Sequence, residues 1–92
     1  MFSRLAEVTS SAEIVTINLE PGGRLGRHSA AAPQLFIVTG GQGEVSGDDE
    51  KFVEVRTGQA VLWKAGESHE TRTQVGLTAI IVEGDGLQLG GL

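Results

Sequence analysis

Short apolar runs separated by glycine turns constrain this chain more than any other feature of its sequence. Glycine supplies 14 of the 92 residues, and it recurs at Pro21-Gly22-Gly23, Gly40-Gly41, Thr57-Gly58 and Ala65-Gly66. The runs between these turns are rich in valine, isoleucine and threonine, and none shows a sustained helical period. Short β-branched segments with turns at near-regular spacing predict an all-β sandwich or barrel.

The same pattern predicts individual strands and turns. The clearest strand is Glu13 to Glu20, in which apolar residues alternate with polar ones. Residues 40–43 are expected to form a tight turn. A closed barrel is expected because closure removes exposed sheet edges. Further strands are expected at 25–30, 34–39, 44–46, 52–56, 59–64, 68–73 and 76–83, with 1–12 as an irregular lead-in or edge strand and 84–92 as a short strand or frayed end.

Length and charge limit the number of domains and the classes of partner. A chain of this size buries roughly 60–65% of its unfolded surface, so residues 1–92 are expected to form one domain with one modest core. The net charge is -5 and the basic residues are scattered, which argues against nucleic acid and anionic membranes as partners. The absence of cysteine, of a signal-like N-terminus and of an apolar run near the ~20 residues of a membrane span predicts a cytoplasmic protein.

The two histidines mark the predicted site. Alternate side chains of a barrel strand face the same side, so His28 can face inward, Gln34 shares a face with Phe36, and His69 shares one with Thr71. Two imidazoles and one amide are therefore expected near the barrel mouth. Imidazole is the commonest metal ligand, which predicts a divalent-metal site. The alternative is that both histidines are surface or hydrogen-bonding residues.

A ligand pocket is predicted beside these donors. Trp63 is the only tryptophan, and it is interpreted either as core packing or as an aromatic wall of the pocket. Phe36 is expected in the core or at the pocket floor, and Thr71 completes the predicted lining. Strand alternation or position predicts that Arg27, Arg72 and Glu83 are exposed to solvent, and that Glu70 is turned away from His69 and does not replace the lost carboxylate ligand.

Two segments resemble the motifs of the cupin family, which consists of small β-barrels of the jelly-roll kind. In the first, at about 22–41, Gly22 precedes His28 by five intervening residues and Gly41 closes the motif. Here Ala30 stands where the family has a second histidine, and Gln34 stands where it has glutamate. The second motif, at about 58–73, contains three matching residues and two departures from the pattern: Gly58, Gly66 and His69 match, Lys64 replaces proline, and Thr73 replaces asparagine.

The resemblance implies a single-domain, cupin-like jelly-roll β-barrel that forms a homodimer. In the family, three histidines and one glutamate bind a metal ion. This chain keeps His28 and His69, Gln34 has lost the charge of glutamate, and Ala30 removes a ligand. The implied site is degenerate, with His28, Gln34 and His69 around one divalent ion (Zn, Ni, Cu, Mn or Fe) and no organic cofactor. A neutral donor set disfavours Fe²⁺ and Mn²⁺ most.

Three functions remain open from the sequence. The first is binding of a small polar ligand in the barrel, with a degenerate metal site. The second is a metal-dependent oxygenase or isomerase acting on a small molecule, although the chain offers no further candidate general base. The third is a non-catalytic structural or interaction module. Fold alone does not decide among them, nor whether the chain is an enzyme.

Overall fold

The structure, a computed structural model, describes residues 6–7, 12–85 and 87–89, and its regular elements there are β-strands. The all-β prediction is therefore confirmed. Most of the predicted lead-in at 1–12 and part of the tail at 84–92 lie outside the described residues. No helix of the described part is long and apolar enough to cross a membrane. The strands are β1 (Ala6–Glu7), β2 (Glu13–Leu19), β3 (Arg24–Ser29), β4 (Gln34–Ser46), β5 (Val53–Arg56), β6 (Ala60–Trp63), β7 (Ser68–Arg72), β8 (Leu77–Glu83) and β9 (Gln88–Leu89).

The long strand β4 connects the two halves of the fold. Its first part, from Gln34 to Ile37, pairs with β6 on one side and β8 on the other. Its second part, from Gln42 to Ser46, pairs with β5 and β7. β2 extends the first half from β8, and β3 extends the second half from β7. The result is two four-stranded antiparallel halves, β6-β4-β8-β2 and β5-β4-β7-β3, that share one strand.

The prediction of a tight turn at residues 40–43 is wrong, because β4 continues through this segment. Its register with β8 shifts between Val38 and Gly40, and Gly41 has a φ of 70°. A Cβ atom at Gly41 would overlap the carbonyl oxygen of Gly76. The paired glycines therefore bend one continuous strand from the first half into the second, as a bulge does, instead of reversing the chain.

The hydrophobic core lies between the two halves. Each half contributes alternate side chains of its strands, as the apolar alternation in the sequence predicts. Burying one such side chain fully stabilises the fold by about 1.5–3 kcal/mol. Ile17 of β2, Val61 and Ile81 pack against the cluster from partly exposed positions. The buried members are Phe36, Val38, Val45, Val55, Trp63, Leu77 and Ala79.

Backbone pairing does not close the barrel within the described residues. β2 pairs only with β8, β3 only with β7, and β5 and β6 only with β4. The expectation of a barrel whose closure removes every sheet edge is therefore not met by the described strands. The halves are joined by β4 and by the core between them, and four of their described strands, β2, β3, β5 and β6, keep one edge free of backbone partners.

Candidate functional site

Cross-strand pairing brings the two histidines together. β3 and β7 are antiparallel, and His28 lies directly opposite His69 after a register shift between Leu25 and His28. The two imidazole rings meet edge to face, with centroids 4.3 Å apart and planes inclined by 63°. The bulge in β3 thus sets which residue faces His69.

Backbone carbonyls orient both imidazoles in the same way. Nδ1 of His28 donates to the carbonyl oxygen of Gly26 at 3.0 Å, and Nδ1 of His69 donates to that of Glu67 at 3.3 Å. Because a carbonyl oxygen only accepts, Nδ1 carries the proton in each ring. In a ring held this way and carrying no second proton, Nε2 can accept a hydrogen bond or bind a metal ion.

The Nε2 atom of His69 is buried and has no hydrogen-bond partner. His69 is 3% exposed, whereas His28 is exposed. A buried polar atom without a partner costs about 1–3 kcal/mol. Burial lowers the pKa of His69 below 6.5, and the hydrogen bond to the Glu67 carbonyl only partly opposes that shift. His69 is therefore a neutral imidazole with an unused lone pair at neutral pH.

Trp63 contacts both His69 and a cleft that none of the three predicted ligands lines. Its indole is stacked on the His69 imidazole, with centroids 5.1 Å apart and planes inclined by 7°. The indole Nε1 is also buried without a hydrogen-bond partner. A cleft of about 490 Å³ opens beside the same indole. Valines form much of its walls and charged side chains lie among its lining: Val45, Val53, Val55 and Val61, with Asp48, Asp49, Lys51 and Glu67.

Gln34 lies next to Trp63 across the β4–β6 ladder, and Glu83 lies next to Gln34 across the β4–β8 ladder. Gln34 is 7% exposed, and its Nε2 donates to Glu83 Oε1 at 3.5 Å. This bond leaves the amide oxygen of Gln34 free as an acceptor. Glu83, which was expected to be exposed, is half-buried beside Gln34, the predicted metal-binding residue. Its alternation with Ala79 and Ile81, which face the core, was the sequence signal for this position.

The other two predicted pocket residues lie deeper in the barrel. Phe36 is buried in the core cluster, opposite Val61 and Ile81. Thr71 is buried opposite Val45 of β4. Each lies two residues along its strand from a predicted ligand, Phe36 from Gln34 and Thr71 from His69. They therefore lie on the same strand faces as the donors, and the structure buries both.

Arg27 joins β3, β7 and the end of β4 through a polar cluster. It forms an ion pair with Glu70 at 3.2 Å and donates to the carbonyl oxygen of Gly47 at 2.8 Å. It also donates to the hydroxyls of Ser46 and Ser68. The expectation that Arg27 is simply solvated is wrong, because it is partly buried and paired with Glu70. Arg27 thus holds in place the two strands that carry the histidines.

The donors fit a divalent ion only as a weak site. Among the described residues, no group of three or more histidine, cysteine or acidic side chains is gathered as metal ligands. The two imidazoles nevertheless present Nε2 atoms whose Nδ1 partners are fixed, and the Gln34 amide oxygen is a possible third donor. Ring centroids 4.3 Å apart place the two imidazoles side by side, and a shared ion further requires both Nε2 atoms to lie about 2.0–2.1 Å from it.

The fold and the paired imidazoles define a class: small antiparallel jelly-roll barrels with polar donors on facing strands. The model of one protein family, described as "Cupin domain", matches residues 15–84, about three quarters of the 92-residue chain. The chain belongs to this family, and the resemblance noted in the two sequence motifs is confirmed. A comparison with curated proteins found no match.

Solved structures show the same fold. An RmlC-like cupin family protein with a double-stranded β-helix fold from Methanocaldococcus jannaschii has a TM-score of 0.78 and 15% identity, with 92% of this chain and 80% of that chain covered. A conserved protein of unknown function from Streptococcus pyogenes has a TM-score of 0.75 and 22% identity, and the match covers 83% of this chain and 66% of that chain. A predicted oxalate decarboxylase from Thermotoga maritima has a TM-score of 0.69 and 22% identity, and the match covers 75% of this chain and 62% of that chain. This chain therefore spans slightly less than two thirds of the length of the last two, and these identities establish the fold alone.

Proposed function

We propose that this cupin-domain chain binds a small polar ligand in its barrel, at a weak divalent-metal site held by His28 and His69 with Gln34 as a third ligand. The observation that carries the proposal is the buried Nε2 of His69, which has no hydrogen-bond partner. An unsatisfied lone pair fixed in this way is costly. A metal ion would use it, and so would a donor group of a ligand.

The charge of the donor set suggests the ligand class. His28, His69 and Gln34 are neutral ligands, so a dication bound to them would retain its full positive charge. The carboxylate beside Gln34, that of Glu83, is engaged with the Gln34 amide nitrogen. A small carboxylic acid would supply both the missing oxygen donors and the missing negative charge. We therefore infer a small carboxylate as the ligand, with the Trp63 indole as an apolar wall.

Metal content tests the first part of the proposal. The chain would be expressed without a histidine tag, purified without a nickel column, and analysed by elemental mass spectrometry. We expect metal at a substantial fraction of one ion per chain in the wild type and none in the His28→Asn/His69→Asn double variant. Equal metal in both proteins, or none in either after incubation with Zn²⁺ and Ni²⁺, would overturn the metal assignment.

Thermal shift tests the second part. Oxalate and succinate would be added to the Zn²⁺-loaded protein, with glucose as a neutral control of similar polarity. A rise in Tm with the acids that disappears with chelator supports a metal-bound carboxylate. A rise that survives chelator and is lost in His69→Asn would instead indicate direct hydrogen bonding to the imidazole, and the metal would be dispensable. No rise with any acid would reject carboxylates as the ligand class.

A further inference from the structure

β5 and β6 leave a cleft between them. β5 ends at Arg56 and β6 begins at Ala60, so only a short turn joins the two strands. They nevertheless pair with different parts of β4, β5 with its second part and β6 with its first, and not with each other. The cleft lined by both strands has a volume of about 490 Å³. Sites for small molecules have volumes of about 300–1,000 Å³, so this cleft is large enough to hold one.

The cleft is separate from the proposed metal site. His28 and His69 lie on β3 and β7, and neither they nor Gln34 line the cleft. The two places meet at one side chain, Trp63, whose indole stacks on His69 and also lines the cleft. A molecule bound in the cleft is therefore expected to change the fluorescence of Trp63 without touching either histidine.

Valines give the cleft apolar walls that become more buried inward. Val53 is 63% exposed, whereas Val55, two residues further along the same face of β5, is 6% exposed. Val45, which lies opposite Val53 on β4, is 1% exposed. Val61 of β6 packs against the core from a partly exposed position. A ligand with a hydrocarbon body would cover this apolar surface, which is favourable in water.

The charged side chains of the cleft are mostly negative. Three carboxylates, those of Asp48, Asp49 and Glu67, stand against the single ammonium of Lys51. The whole chain is also acidic, with a net charge of -5. A cleft lined mainly by one sign of charge attracts the opposite sign. The field at this cleft therefore favours a cation over an anion.

Backbone N–H groups hold two of these carboxylates in place. Asp48 Oδ1 accepts from the first backbone N–H of β7 at 2.8 Å, and Glu67 Oε1 accepts from the N–H of Lys64 at 2.9 Å. The second oxygen of each carboxylate has no hydrogen-bond partner in the described part of the chain. A Cβ atom at Gly47 would lie 3.0 Å from Glu67 Oε2 and 3.1 Å from Trp63 Cζ3. Glycine at this position therefore lets the carboxylate oxygen and the edge of the indole lie close together.

We propose that the cleft between β5 and β6 binds a small organic amine. Its ammonium group would donate to the carboxylates of Glu67 and Asp48, and its hydrocarbon body would lie against the valines and Trp63. Hydrogen bonds between an ammonium and a carboxylate are stronger than those between neutral groups, so the cleft prefers a protonated amine to an alcohol of the same length. A carboxylic acid would meet like charges here, which separates this cleft from the ligand proposed for the histidine site.

Binding of n-hexylamine tests the proposal, with hexan-1-ol and hexanoate as controls of the same chain length. Each is titrated at pH 7.5 into metal-free protein with chelator present, so the result does not depend on the metal site. Trp63 emission and the NMR shifts of the Val53 and Val55 amides are the readouts. We expect saturable binding of hexylamine, about ten-fold tighter than binding of either control, and a gain of up to about four-fold per methylene from butylamine to hexylamine. No saturable binding of hexylamine, or binding of hexanoate that is equally tight, would overturn the proposal.

Matched variants test the two parts of the cleft. Glu67→Gln removes the charge but keeps an oxygen for the Lys64 N–H, and it should weaken hexylamine binding about five-fold. Its control is Glu54→Gln, exposed on β5 and outside the cleft, which should leave the affinity unchanged. Val53→Thr should weaken binding about three-fold, whereas Val75→Thr, at a valine that is 60% exposed elsewhere on the surface, should have no effect. Equal affinity in Glu67→Gln and the wild type would reject recognition of an amine, even if Val53→Thr weakens binding.

Discussion

The indole of Trp63 lies parallel to the imidazole of His69, with ring centroids 5.1 Å apart. Since Trp63 is the only tryptophan, its fluorescence reports on the state of this one imidazole. A positive charge on the ring would lie against the indole face, where a cation interacts directly with the π-electrons. Protonation of His69, or a metal ion bound to it, should therefore change the emission.

Fluorescence should place the titration of His69 below pH 6.5. Desolvation lowers the pKa of this buried ring, so its charge should appear only in more acidic solution. The measurement is a pH titration of Trp63 emission in metal-free protein with chelator present. His69→Asn is the control and should abolish the transition. A midpoint at or above 6.5 in the wild type would contradict the prediction.

The same lowered pKa makes the stability of the fold depend on pH. In the unfolded chain His69 titrates near 6.5, and in the folded chain at a lower pH. Between these two values the unfolded state binds more protons, so the free energy of unfolding contributed by His69 falls as pH drops below 6.5 and levels off below the folded pKa. Urea unfolding of metal-free wild type and His69→Asn at pH 7.5 and 5.5 checks this. The wild type should lose more stability than the variant between the two pH values, and an equal loss would argue against it.

Exchanging the side chains of Gln34 and Glu83 should raise the affinity of the proposed site for divalent metal ions. Gln34→Glu restores a charged oxygen ligand, which divalent ions prefer to an amide, but it also sets two carboxylates at the 3.5 Å contact between the two side chains. The single variant should bind Zn²⁺ and Mn²⁺ more tightly and be less stable without metal. The double variant Gln34→Glu/Glu83→Gln should keep the higher affinity and regain the stability. Calorimetric titration and Tm measurements check both, and unchanged affinity would remove Gln34 from the proposed ligand set.

Gly41→Ala should destabilise the fold by at least about 2 kcal/mol, because the residue has a left-handed φ and a Cβ would overlap a backbone carbonyl. Gly26→Ala is the matched control on β3, since no atom lies within 4 Å of its added Cβ. That change should alter stability by less than about 1 kcal/mol. Urea unfolding of the two variants gives the comparison. Similar stabilities for both would mean that β4 does not bend at Gly41 as described.

Arg27→Met should cost about 1–3 kcal/mol, because it leaves the fully buried Ser46 and the partly buried Glu70 without their partner. The control is Arg56→Met on β5, whose ion pair with Glu54 is largely exposed and should contribute no more than about 1 kcal/mol. Denaturant midpoints of the two variants measure the difference. A larger loss at Arg56 than at Arg27 would show that the cluster around Arg27 is not structurally important.

Local features of the sequence predicted the strands and their inward faces, because alternation and turn chemistry act within a few residues. They failed at Gly40-Gly41, where two glycines fit either a turn or a bulge. The choice between these is made by β8 and by the carbonyl of Gly76, far along the chain.

The site was only partly predictable for a related reason. Spacing identified His28 and His69 as candidates, but their direct opposition depends on the register shift after Leu25. A one-residue slip would turn every side chain of β3 to the other face. Glu83 and Arg27 were misjudged because alternation gives the face of a side chain but not its neighbours. The role of the donors in binding remains a prediction.

The pairing of the strands has a consequence for how the chain folds. Every ladder among the described residues joins a strand that ends by Ser46 to one that begins at Val53 or later. During synthesis the first half of the molecule therefore has no strand to pair with, and neither sheet can begin until its distant partners leave the ribosome. With so many contacts between distant residues, folding should be slow for a chain of this length. The apolar segments Ile14–Ile17 and Leu35–Val38, which stay exposed until those partners are synthesised, would then be the parts that need protection.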